Sequence, residues 1–359
     1  MDWLIAPVAW LGIILGEALP PAPETVMALP PELAARIERD IVAATASPAA
    51  RIDRLTEYMF LESGLGFDYQ DLPTRNAAGT WSAGRGNCLS FTLLFLAMAR
   101  EAGLNAFPRE VRVPESRRRD GTIVFSIGHV NVGVEGGGRR ATVDFEPDLM
   151  RAQRLAASFR GQRISDARAL AHFYNNRAAE LLTEGQARLA RLWIEQALAL
   201  DPDLPAAINT LGVIERKLGD PSAAEAAFER VLAMDDDNIN ALLNLIGLLQ
   251  GQGRTESAAA YRQRVSRLRA QDPWFQLELG HFHESLGAYE QAREHYWQAV
   301  QLSERPDALM YARLARVLDR MGERSAAKRY LVQAVRHSDV EERKGYAEKL
   351  YAFKSASPK

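Results

Sequence analysis

"INTLGVIERKLGDPSAAEAAFERVLAMDDDN", residues 208–238, is the stretch that decides how this chain folds. Its two halves each carry helical periodicity, and Gly219 stands between them. Glycine accepts the left-handed backbone that ends a helix, and Ala224, five residues on, lets a second helix approach the first closely.

The same punctuation recurs outward from it. Gly185, Gly219, Gly253, Gly287 and Gly322 are separated by 34, 34, 34 and 35 residues. Ala190, Ala224, Ala258, Ala292 and Ala327 each follow their glycine by five residues. Small apolar residues, Ala197, Val231, Val265, Ala299 and Ala334, return where a second helix has to pack. Five helix-turn-helix units are expected over 166–338.

This pattern resembles the tetratricopeptide repeat (TPR), over about 171–337. Residues 208–238 and "FQLELGHFHESLGAYEQAREHYWQAVQL", 275–302, are near its consensus. Gly212 and Gly280 hold the small position of the first helix, and Phe228 and Tyr296 hold the aromatic position of the second. The third unit departs, with Ile246 and Arg262 at those places. "DVEERKGYAEKLYAF", 339–353, reads as a capping helix that closes the array. The resemblance implies an all-α solenoid with a protein or peptide partner in its concave groove, and Asn209, Arg216, Asn240 and Trp274 fall at inward-facing positions.

The rest of the chain has a different grammar. A length of 359 residues calls for two or three domains, and 47% hydrophobic with 25% charged residues supports packed cores. A net charge of -2 argues against a nucleic-acid partner, which needs a strongly basic face. Residues 3–15 are apolar but shorter than the roughly 20 residues a bilayer span requires, so no stable span is expected. The stretch suits a secretory signal over 1–18 with cleavage after Ala18, giving a periplasmic or secreted protein. Asp2 stands where a basic residue is usual, and a packed N-terminal helix, a start upstream of Met1 and a cytoplasmic location remain open.

"PPAPETVMALPPE", 20–32, reads as a Pro-rich linker within 19–48, with helices over 32–46 and 49–63. Residues 64–87 are rich in turn formers and lead into an apolar helix, "CLSFTLLFLAMAREAG", that Gly103 terminates. Strands are expected at 106–113, 122–135 and 141–146, with "ESRRRDG", 115–121, as a solvated loop. One helix opening a three-strand sheet makes 49–165 an α+β domain.

Cys88 is the only cysteine, which excludes an internal disulfide and a multi-cysteine metal site. It begins the apolar helix behind Asn87, a plausible N-cap, where free amide donors and the helix dipole stabilise a thiolate. His129 is the one histidine before the repeats and the available base. In "GVEGGGRRATVDFEP", a two-residue turn at Gly136 and Gly137 pairs Glu135 with Gly138 and sets His129 opposite Asp144. A three-residue loop puts them on opposite faces, and the three glycines permit both. A base held by a carboxylate is the arrangement that activates a thiol.

Residues 51–150 resemble the transglutaminase-like superfamily of papain-type cysteine enzymes. The pattern is Gly86 two before Cys88, then His129 and Asp144 on strands. The resemblance implies acyl chemistry on amides, with Cys88 as nucleophile, His129 as acid and base, and Asp144 as orienter. The backbone N–H of Cys88 and a side chain upstream, for which Trp81 is the candidate, would bind the oxyanion. No cofactor or metal is implied. His281, His283 and His295 are expected to pack within the repeats rather than bind metal. The competing reading is an interaction scaffold whose transglutaminase-like domain is inactive.

Overall fold

The computed structural model describes residues 19–338, with 46, 61–63, 112–116, 121–122, 127–128, 146–160, 304–305 and 307 excepted, together with 346–347. The proposed signal segment and nearly all of the expected capping helix lie outside the described residues. The chain divides into two units, Met1–Ala258 and Ala259–Lys359. The first unit therefore runs through the expected boundary at 165/166 and takes in the first repeats.

The first unit opens with α1 (Pro23–Val26), α2 (Pro31–Ile37) and a π-helical turn at Glu38–Val42. Prolines at the first helical positions start both helices, where their missing N–H costs nothing. The Pro-rich stretch is not a free linker: Val26, Leu33, Ile37 and Ile41 are fully buried. Next come α3 (Pro48–Phe60), β1 (Asp68–Tyr69), α4 (Ala77–Ala83), β2 (Arg85–Gly86) and α5 (Cys88–Glu101). Every residue of α5 from Leu89 to Ala99 is buried. That explains its apolar run without a polar face, since it is a central helix in contact with α2, α3, α4 and the sheet.

Strands β3 (Asn105–Val111), β6 (His129–Gly136), β7 (Arg139–Val143) and β8 (Gln162–Arg163) form an antiparallel sheet in the order β7-β6-β3-β8. The fourth strand, two residues long, carries no hydrophobic signal. The single strand expected at 122–135 is two, because β4 (Arg117–Asp120) and β5 (Ile123–Ser126) make a separate hairpin. Part of the expected loop at 115–121 is thus β4. Val130, Val132 and Val134 share one face of β6 and are at most 2% exposed, and Asn131 and Gly133 between them are buried as well.

Repeat helices follow in the first unit: α6 (Asp166–Thr183), α7 (Ala187–Leu200), α8 (Pro205–Leu218), α9 (Pro221–Met234) and α10 (Ile239–Gly251). Helix α6 is tied to the sheet by charge. Glu110 of β3 accepts from Arg168 Nε at 2.8 Å and lies 3.2 Å from His172 Nε2, while Arg168 also reaches Asp201 at 2.8 Å. The Tyr174 hydroxyl donates to the Pro21 carbonyl at 2.5 Å, which docks the N-terminal segment on α6. Helix α11 (Thr255–Ala270) crosses the division at Ala258. The second unit holds α12 (Pro273–Ser285), α13 (Tyr289–Leu302), α14 (Ala308–Arg320) and α15 (Arg324–His337).

All five repeat glycines adopt positive φ, between 73° and 90°, and all five marker alanines are fully buried. At Gly212 a Cβ would lie 2.5 Å from Phe228 Cε1, and at Gly280 one would lie 2.4 Å from Tyr296 Cδ1. The aromatic ring of the second helix rests on the bare backbone of the first.

Candidate active site

Cys88 is the first residue of α5, half-buried against the core and unbridged. Asn87 is the N-cap. Its Oδ1 accepts from the Ser90 backbone N–H and from the Ser90 hydroxyl, both at 2.9 Å. Gly86 precedes it because no other residue fits: a Cβ there would lie 2.8 Å from Ser90 Cβ and 3.1 Å from Thr80 Cγ2.

Helix and sheet converge at this end of α5. Thr92, one turn after Cys88, donates to the Val130 carbonyl at 2.9 Å. Phe145 packs on Phe91 and Phe95, with ring centroids 6.0 and 5.7 Å apart. The start of β6 and the end of β7 therefore both arrive at the first turns of the cysteine helix. His129 opens β6, its backbone in register with Val111. The His129 side chain lies outside the described residues.

The hairpin register differs from the one expected. The turn is Gly137 and Gly138, with φ of 58° and 79°, and Glu135 pairs with Arg140. A two-residue turn of this type needs positive φ at both centres. Gly136 stays in the strand, where a Cβ would meet Leu104 and Pro48 at 2.9 and 3.2 Å. Asn131, two residues beyond His129, thus stands opposite Asp144, and Asn131 Nδ2 donates to Asp144 Oδ2 at 2.9 Å. Asn131 was not singled out from the sequence as the partner of Asp144; its strand alternation was visible, its register was not.

Trp81 lies on α4, half-buried against the same core as Cys88. It lines a cavity of about 420 Å³ with Arg36, Leu65, Phe67 and Gly84. Cys88 is not among the residues lining it.

A buried polar chain runs behind the cysteine. Asn87 Nδ2 donates to Thr74 Oγ1 at 2.8 Å, and Thr74 donates through its backbone N–H (2.9 Å) and its hydroxyl (2.7 Å) to Glu180 Oε1. Glu180 belongs to α6, 106 residues away from Thr74, and its other oxygen pairs with Arg177. Neither Thr74 nor Glu180 has a local sequence signal.

The residues expected to line a groove fall in different surroundings. Asn209 is 1% exposed and accepts from Asn244 Nδ2 at 3.1 Å. Burial disfavours the charge of Arg216. Asn240 Oδ1 is buried without a hydrogen bond. Trp274 packs against the core of the second unit. Strand β5 lies against α8 and α10, so that face of the first repeats is covered by the chain itself. His283 and His295 stack at 5.2 Å, and His295 Nδ1 meets Gln276 Oε1 at 2.8 Å. Among the described residues no three His, Cys, Asp or Glu side chains are grouped to hold a metal.

Tetratricopeptide repeat family models match residues 215–277 and 275–306. Both matches lie in the repeats, and the chain carries tetratricopeptide repeats, which imply a protein or peptide partner. Over 81 residues the chain is 44% identical to the cellulose synthase operon protein C of Xanthomonas axonopodis pv. citri (strain 306). That stretch is 23% of this chain and 5% of the relative's length. Among solved structures, it is similar to pilF of Pseudomonas aeruginosa (22% identity, 50% of this chain and 88% of that chain, TM-score 0.27). It is also similar to a thermophilic TPR protein of Thermus thermophilus (21% identity, 50% and 99%, TM-score 0.27). No helix among the described residues is long and apolar enough to cross a membrane.

Proposed function

We propose that the chain is a cysteine-dependent acyl-transfer enzyme of the transglutaminase-like kind, acting on amide bonds, whose repeats hold a protein or peptide partner. Cys88 attacks the amide carbonyl, and its sulfur forms a thioester as the carbon–nitrogen bond breaks. His129 takes the thiol proton and returns it to the leaving amine, and Asp144 orients the imidazole. The Cys88 backbone N–H, aided by Trp81, binds the oxyanion. Water or an amine then resolves the thioester.

The observation that carries this reading is the convergence at the start of α5. The Thr92 bond to Val130 and the Phe145 packing bring the strand positions next to His129 and Asp144 up to the capped end that begins with Cys88. The apolar stretch before Ala18 supports export to the periplasm or beyond, and the mass of the mature protein from its host tests it.

The central test is a panel of amide peptides with wild type and Cys88→Ala. Turnover that Cys88→Ala abolishes is expected. Iodoacetamide labelling against pH reports on the thiol directly, because there is one cysteine. Labelling that follows the ordinary free-cysteine pKa near 8.5 favours the non-catalytic scaffold instead.

A further inference from the structure

A hydrogen-bond chain with a fixed direction links the repeats to the cap of the cysteine helix. Thr74 has one hydroxyl proton, and it donates that proton in a hydrogen bond to Glu180 Oε1 at 2.7 Å. The Thr74 oxygen is then left to accept, and it accepts from Asn87 Nδ2 at 2.8 Å. Asn87 Nδ2 also donates to the Asp71 carbonyl at 3.1 Å, and with its amide nitrogen so committed Asn87 turns its oxygen to the helix, where it caps Ser90 N–H at 2.9 Å. Ser90 completes the arrangement: its hydroxyl oxygen accepts from Arg75 N–H at 2.8 Å, beside Thr74 in sequence. Thr74, Asn87, Ser90 and Glu180 are at most 8% exposed, so water does not compete for these bonds.

We propose that Glu180, on the first repeat helix, is a positioning residue for Cys88, acting through Thr74 and Asn87 to hold the first turn of α5 in its reactive geometry. This rests on the reading of Cys88 as the nucleophile. Removing the acceptor at Glu180 frees the Thr74 proton, which can then point at Asn87 Nδ2; the amide loses one of its two acceptors, and the Asp71 carbonyl alone is left to hold the orientation that caps Ser90 N–H. The repeats are in this way part of the reactive centre as well as its docking module, although Glu180 touches no substrate.

The test is the pH profile of iodoacetamide alkylation in the full-length chain, where Cys88 is the sole target. Thr74→Val and Glu180→Met, which leaves no acceptor for Thr74, are expected to move the alkylation midpoint up by about half a pH unit, roughly threefold in thiolate at a fixed pH below it. Thr74→Ser, which keeps the hydroxyl, is expected to retain the wild-type profile. Circular dichroism melting screens each variant, and Glu180→Met with Thr74→Ser decides the matter should Thr74→Val fail to fold. An enhanced wild-type profile that the variants share overturns the positioning role and leaves the nucleophile reading standing. An ordinary wild-type profile overturns the nucleophile reading and the positioning role together.

Discussion

Asn131 Nδ2 donates to Asp144 Oδ2 at 2.9 Å between neighbouring strands β6 and β7. Asn131 is 5% exposed while Asp144 is exposed, so a buried amide fixes the orientation of a carboxylate that reaches solvent. Asn131→Ala is expected to cost about 1 kcal/mol of stability and to lower kcat for amide turnover more than it changes KM. Urea denaturation and steady-state kinetics check the two halves; unchanged kcat in both Asn131→Ala and Asp144→Asn would remove Asp144 from the chemistry.

Gly212→Ala forces a methyl to within 2.5 Å of the Phe228 ring, and Gly280→Ala to within 2.4 Å of Tyr296. Overpacking of this kind costs about 1–3 kcal/mol, set against a gain of about 1 kcal/mol in helix propensity. Both variants are expected to melt lower than wild type. Phe228→Leu should relieve much of the cost at Gly212, which a double-mutant cycle measures.

Burial pushes the Glu110 carboxyl up, but the His172 ring 3.2 Å away and then Arg168, which donates to it, outweigh it and hold it down at about 2. The folded state thus binds a proton on Glu110 less readily than the unfolded chain does. Its contribution to stability is full above the ordinary 4.5, and is lost as pH falls from there toward 2. Glu110→Gln is expected to flatten the stability curve of the first unit in that window, read by urea melts at stepped pH.

His295 is held below its usual pKa of 6.5 by burial first and by the stacked His283 second. A neutral ring is preferred in the fold, so stability is complete above 6.5 and declines as pH drops below it. His283→Phe keeps the aromatic contact and removes the second imidazole. It should protect α13 from amide exchange at mildly acid pH and change little at pH 8; equal protection at both would reject the effect.

The repeats were legible because their signal is local. Each Gly at positive φ ends a helix within its own unit, and each buried alanine answers to a partner one turn-pair away, so periodicity carries the information. The cap at Asn87 was legible for the same reason. Strand β8 and the hairpin of β4 and β5 were not, since two paired residues or an arginine-rich strand carry little apolar pattern.

What the amino-acid sequence determined by itself is the repeat period, the start of α5 at Cys88 and the alternation of β6, all set by backbone preference and side-chain spacing over a few residues. Tertiary structure alone decided which two of Gly136, Gly137 and Gly138 turn the chain, because Leu104 and Pro48 press on Gly136 from distant segments. It also decided that Asn131 faces Asp144 and that Glu180 answers Thr74 across 106 residues. Such pairings depend on packing between elements far apart in the chain, and three glycines in a row are locally equivalent until that packing chooses among them.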